Sequence, residues 1–175
     1  GAGGSGILLH EAIGHAFEAD FNRKNTSIFS DQLNKKVCNE HINVVDDGTI
    51  PFNRGSVNID DEGVDGQKTY IVREGVLTSY LHDRISAKHY GIPSTGNGRR
   101  ESFRQMPIPR MRATYMEAGN VTEEEIISTV KKGIYAANFT NGQVQIGAGD
   151  FTFFVKDGYL ICLLYTSPSP RDRSV

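Results

Sequence analysis

The sequence predicts an α+β domain: a mostly antiparallel sheet, a motif helix near the N-terminus and a few packing helices. Three observations predict it. Short apolar–polar alternations, separated by turn dipeptides, fill residues 41–81 and 134–161, as in a strand meander. Thr122-Glu123-Glu124-Glu125 is a capping box that opens a helix. His10-Glu11-Ala12-Ile13-Gly14-His15 follows directly on the apolar run Ile7-Leu8-Leu9, so side chains with chemistry sit on a buried segment. A chain of 175 residues has room for one domain with a real core.

In chain order, the opening Gly-Ala-Gly-Gly-Ser-Gly reads as a tight turn. It matches neither phosphate-binding pattern, G-x-x-x-x-G-K-[ST] or G-x-G-x-x-G. Residues 7–20 form the motif segment, with Ile7, Leu8, Ile13 and Phe17 as its buried face. Residues 21–30 are polar and carry capping signals; residues 31–40 read as a short exposed helix or loop. Strands are expected at 41–46, before the hairpin dipeptide Asp47-Gly48, and at 55–60 and 68–73. Glu74-Gly75 then turns the chain into 76–81. The acids at these turns suit local hydrogen bonds, and their spacing is not that of an EF-hand. A helix over 82–90 ends at Gly91, with Pro93 beyond.

The Gly-rich, Arg-bearing run Thr95 to Ser102 leads into Met106-Pro107-Ile108-Pro109-Arg110. It suits either a loop for an anionic or peptide ligand or a surface loop whose arginines pair locally. A strand over 111–116 precedes the capped helix, which runs to Lys132 with Ile126, Ile127 and Val130 inward and Gly133 as its stop. Strands at 142–147 and 151–156, the hairpin dipeptide Asp157-Gly158 and a strand from Tyr159 complete the pattern.

Composition sets limits. A formal charge of -2 and a pI near 6.2 give no support for nucleic-acid binding. No apolar run reaches membrane-span length, and residues 1–6 lack the features of a signal peptide. Two cysteines make no disulfide framework, which fits a reducing compartment. The missing start Met so close to the motif suggests a fragment. From Cys162 the grammar breaks: Cys162 to Val175 reads as an adapter-derived or disordered Pro/Ser-rich tail. The expected division is therefore 1–161, a partial domain, and 162–175, a tail without function.

The motif points to a metal. In H-E-x-x-H the two histidines lie one helical turn apart on one face. Here they are at i and i+5, roughly 140° apart on an undistorted α-helix. A π-bulge would bring them together, and Gly14 is the residue that most readily tolerates the distortion. His10 and His15 then serve as imidazole ligands to zinc, with Glu11 as general base. The plainer alternative is two partly exposed histidines beside an ordinary glutamate. The Glu, the preceding apolar run and the internal Gly favour metal. A catalytic zinc takes about three protein ligands. The candidates for the third are Cys38, His41, His82, His89 and Cys162. Cys38-x-x-His41 alone cannot close a site, Cys38 reads as a packing residue, and Cys162 begins the tail.

A resemblance adds to this reading. Leu8-Leu9-His10-Glu11-Ala12-Ile13-Gly14-His15, Phe17 to Lys24, Val44-Val45-Asp46-Asp47-Gly48-Thr49, Ile59 to Gly63, Thr95 to Ser102, Pro107 to Met111 and Gly133-Ile134-Tyr135 resemble the TldD branch of the TldD/PmbA peptidases. The resemblance covers residues 4–161. It implies a cytoplasmic zinc metallopeptidase that acts on peptides or small unfolded proteins with a PmbA/TldE-type partner subunit lacking the metal motif. It implies His10 and His15 as zinc ligands and Glu11 as the catalytic carboxylate. The implied third ligand is a cysteine in a later segment this chain does not contain, and the family's amino-terminal domain is also absent. The chain alone is therefore expected to be inactive. The resemblance also draws Gly96, Asn97, Gly98, Arg99, Arg100 and Glu101 toward the substrate region. The competing reading is a non-catalytic regulatory module, in line with an older naming of the family as modulators of DNA gyrase. Glu11 discriminates the two.

Overall fold

The computed structural model describes residues 1–162 and 165–168. Its centre is a four-stranded antiparallel sheet in the order β3-β2-β1-β6, formed by β1 (Val44–Asp47), β2 (Lys68–Arg73), β3 (Val76–Leu77) and β6 (Thr114–Met116). Beside it lie a small ribbon of β4 (Gly98–Arg99) with β5 (Ile108–Pro109), and a long hairpin of β7 (Lys132–Gln145) with β8 (Asp150–Cys162). The helices are short: α1 (Ala2–Leu8), α2 (Ala19–Arg23), α3 (Arg84–Tyr90) and α4 (Glu123–Thr129). The fold is the expected α+β arrangement with antiparallel sheets and an N-terminal helix.

The core joins the motif segment to the sheet. Phe17, Ala19, Val44, Ile71, Val72, Leu77, Tyr80, Leu81 and Met111 pack as one buried cluster. Burying a side chain the size of Phe17 stabilises by roughly 1.5–3 kcal/mol. Backbone bonds fix the same junction: Ala19 N–H donates to Leu81 O (2.9 Å) and Leu81 N–H to Phe17 O (3.0 Å). Glu18 thereby becomes a bridge residue, parallel to Leu81. α1 packs on β7 in place of the expected turn. Its glycines allow the approach, since a Cβ on Gly4 would lie 2.8 Å from Asn138 Cα. Ile7, expected inward, is 44% exposed.

Several turn signals are met. Glu74 and Gly75 both have positive φ (49° and 77°), the type I′ geometry that links β2 to β3. Asp83 caps α3 by accepting from Ser86 N–H (2.7 Å), and Gly91 ends it at φ 68°. The Asp47 side chain accepts from Thr49 N–H (2.8 Å), and Asp60 from Glu62 and Val64 N–H (2.8 and 2.9 Å).

Other readings need correction. Asp47-Gly48 makes no hairpin: residues 48–67 fold back on the sheet before β2 pairs with β1. Within them the expected strand at 55–60 reduces to a bridge between Ile59 and Asp65. The capping box of α4 is present, but the helix stops at Thr129 because Val130 turns extended and the chain enters β7 at Lys132. Its intended inner face is open, with Ile126 56% exposed. Asp157-Gly158 lies inside β8. Bulges let Asp157 pair with Asn138, which donates to its carboxylate (2.9 Å), and the turn falls at residues 146–149. In the tail, β9 (Tyr165–Pro168) runs antiparallel to the end of β8. The rest of the tail reading lies outside the described residues.

Candidate metal centre

After α1 the helix widens. Leu9–Ile13 is a π-turn, with Gly14 N–H reaching back to Leu9 O. Ile13 then leaves helical geometry (φ -127°, ψ -36°), and Gly14–Phe17 tightens into a 3₁₀ turn. The five-residue spacing thus meets the expected distortion. Gly14 plays a different part from the one expected. Its own backbone is ordinary helix (φ -57°, ψ -49°). A Cβ there would run into Met111 Sδ, so glycine is needed for packing.

The π-turn stacks the two imidazoles edge to face, with ring centres 4.8 Å apart. Glu11 lies between them, 3.9 Å from His10 Nε2 and 4.0 Å from His15 Nε2. His10, Glu11 and His15 place one ligand-capable atom each within 4.8 Å of one another. His10 is exposed; Glu11 and His15 are half-buried.

Below the motif, His15 Nδ1 donates to Glu18 Oε1 (3.1 Å). A carboxylate can only accept, so the proton sits on Nδ1 and the Nε2 lone pair is left for a ligand. Glu18 is completely buried, and its other oxygen accepts from Arg110 Nη1 (2.6 Å). The bond to Glu18 raises the His15 pKa, while burial and then the neighbouring His15 lower that of His10. A histidine held by a buried carboxylate through one nitrogen and open at the other is how imidazole ligands are oriented to metals. That nitrogen, with the His10 imidazole and the Glu11 carboxylate beside it, suits a borderline-soft divalent ion such as zinc. The donor set fits.

The proposed third ligands stand apart. Cys38 packs at the edge of the core, His41 is exposed, His82 is buried against Ser86 Oγ (3.2 Å), and His89 lies against the Tyr90 ring. Cys162 is exposed at the end of β8. Among the described residues none of them joins the cluster.

The loop from Gly96 to Glu101 divides into two parts. Asn97 is buried and donates to Asp46 Oδ2 (2.6 Å) and Arg110 O (2.9 Å), while Gly98 N–H donates to Asp60 Oδ2 (2.9 Å). Asp46 is further held by Thr114 Oγ1 (2.6 Å) and Arg112 N–H (2.9 Å). Gly96 has φ 71°. These three residues brace the segment just after β5, where Arg110 and Arg112 lie. Arg99, Arg100 and Glu101 are exposed, and Arg100 N–H is tied to Asp61 (2.7 Å). Glu18 and Arg110 carry structural roles at the site that sequence reasoning missed. Glu18 had one signal, its position three residues after His15.

The family model described as the PmbA/TldA metallopeptidase C-terminal domain matches residues 2–162. The chain belongs to this PmbA/TldA family. It is 52% identical over 161 residues, 92% of its length, to a protein named metalloprotease TldD homolog from Buchnera aphidicola. It is 36% identical over 157 residues to one named zinc metalloprotease TldD homolog from Saccharolobus solfataricus. The chain spans about a third of these PmbA/TldA relatives, 33% and 35% of their lengths. In fold it is similar to the crystal structure of TldE from Thermococcus kodakarensis, with a TM-score of 0.81 and 24% identity over 95% of this chain and 38% of that one. Among the described residues no helix is long and apolar enough to cross a membrane.

Proposed function

We propose that the chain carries the metal-binding half-site of a zinc-dependent endopeptidase acting on peptides or small unfolded proteins. The observation that carries this reading is the convergence of His10, Glu11 and His15 within 4.8 Å, with His15 oriented from behind by Glu18. His10 and His15 would hold the ion through Nε2. Bound zinc supplies a Lewis acid for the scissile carbonyl and a water of lowered pKa. Glu11 takes the proton of the attacking water and returns it to the leaving amine nitrogen. Glu18 keeps the His15 ring from turning, and Arg110 supplies the buried Glu18 with its counter-charge.

The names of the relatives support a metallopeptidase. Cytoplasmic placement and a PmbA/TldE-type partner subunit belong to the same proposal. Two imidazoles fall short of a full ligand set, so the chain alone binds zinc weakly and turns over no peptide. In the full-length parent protein with its partner, Glu11→Gln should abolish peptide cleavage and leave zinc content near that of the unaltered protein. Surviving cleavage would overturn the catalytic reading.

A further inference from the structure

An open cleft of about 570 Å³ is lined in part by Met111. The Met111 thioether packs under Gly14 of the motif, and the same residue lines the cleft. Three arginines line it as well, Arg54, Arg99 and Arg112, and no carboxylate does. Behind this wall the carboxylates of Asp60, Asp46 and Asp61 act on Arg112, so the positive charge left to face the cleft is that of Arg54 and Arg99. The three arginines play different parts. Arg112 is half-buried and fixed: Nε donates to Gly96 O (3.2 Å) and Nη2 to Gly98 O (2.9 Å). Arg54 and Arg99 are exposed, and among the described residues neither guanidinium has a hydrogen bond or salt bridge. The nearby acids are engaged elsewhere. Asp46 is held by Asn97, Thr114 and Arg112 N–H, Asp60 by three backbone N–H groups, and Asp61 by Arg100 N–H.

We propose that this cleft receives a carboxylate of the peptide substrate, through Arg54 and Arg99. The guanidinium fork matches a carboxylate with two parallel N–H···O bonds, and a rigid floor with two free forks above it is suited to that geometry. The carboxylate belongs either to the chain terminus of the peptide or to an Asp or Glu side chain. The inference rests on the peptidase reading for its ligand class, and it deepens that reading: the cleft anchors a charged group of the substrate on the far side of Met111 from the motif.

The test is a binding measurement independent of metal and cleavage. The full chain carrying Glu11→Gln, in chelator, is titrated against three fluorescein-labelled peptides of one otherwise neutral sequence. The first ends in a free carboxylate, the second in an amide, and the third is the amide with one internal Glu. At least one carboxylated peptide should bind roughly fivefold tighter than the neutral amide. The gain should shrink as salt is raised. It should vanish in Arg54→Ala/Arg99→Ala, whose side chains are exposed and bear no structural bonds. A gain confined to the free-acid peptide places the terminus in the cleft; a gain for the internal Glu places a side chain there. If neither carboxylated peptide binds tighter than the amide, or the double variant keeps the gain, the proposal fails. Cleavage by the Glu11→Gln parent would sink the peptidase reading and leave this measurement unchanged.

Discussion

Replacing Glu18 by Gln separates orientation of the site from stability of the fold. Glu18 is completely buried and accepts two bonds, from His15 Nδ1 (3.1 Å) and Arg110 Nη1 (2.6 Å). A glutamine has one accepting oxygen, so one of the two donors loses its partner, and the Arg110 charge loses its counter-ion. A buried donor left unpaired costs about 1–3 kcal/mol. Urea unfolding should therefore show a loss of that order. If the amide nitrogen turns toward His15, the ring flips or loses its tether, and its Nε2 no longer aims at the position proposed for the ion. Loss of such a supporting carboxylate lowers metal affinity by about 10–100-fold. Chelator competition on the full-length parent measures this directly. Arg110→Gln is the control: it removes the other donor and leaves the His15–Glu18 bond, so it should reduce stability without a matching loss of zinc affinity. A folded Glu18→Gln parent that binds zinc as tightly as the unaltered protein would refute the orienting role.

Other outcomes follow from the same contacts. Gly14→Ala drives a methyl into Met111 Sδ and should destabilise by about 1–3 kcal/mol, read as a shifted urea midpoint at unchanged slope. Asn97→Ala leaves Asp46 and the Arg110 carbonyl each one donor short and should cost about 2 kcal/mol by the same assay. Burial lowers the His82 pKa to about 4 from 6.5. The folded state thus disfavours the protonated ring: the contribution is intact above pH 6.5 and is lost as pH falls toward 4. Between pH 7 and pH 5 this amounts to roughly 2 kcal/mol. Unfolding free energy should fall by that much more in the unaltered chain than in His82→Asn, and equal falls would exclude it.

The motif was legible because its peculiarity is local. Five-residue spacing cannot stack two histidines on an α-helix, so the π-turn followed from His10 and His15 alone. The role of Gly14 was not legible, because Met111 reaches it from far along the chain. The same holds for Glu18, whose second partner, Arg110, is 92 residues away. Turn chemistry gave the correct answer at Glu74-Gly75, where two adjacent strands meet. It failed at Asp47-Gly48 and Asp157-Gly158, where long-range pairing overrode the dipeptide. The opening glycines read as a turn because flexibility is their commonest use; here they let a helix lie against the backbone of β7. Ile126 was expected inward from helical periodicity, but periodicity does not reveal whether a partner surface exists.

The π-turn is a one-residue surplus absorbed in place. Deleting a residue between Glu11 and His15 would give the four-residue spacing of an ordinary α-helical H-E-x-x-H and remove the need for the bulge. The same deletion would rotate everything after it by about 100° relative to the preceding helix. Glu18, its bridge to Leu81 and the packing of Phe17 are all placed downstream of that surplus. The additional residue therefore works as a phase setting between two halves of the chain. A motif search written for the shorter spacing would pass over this protein, and shortening its motif to fit would pull the histidine away from its carboxylate.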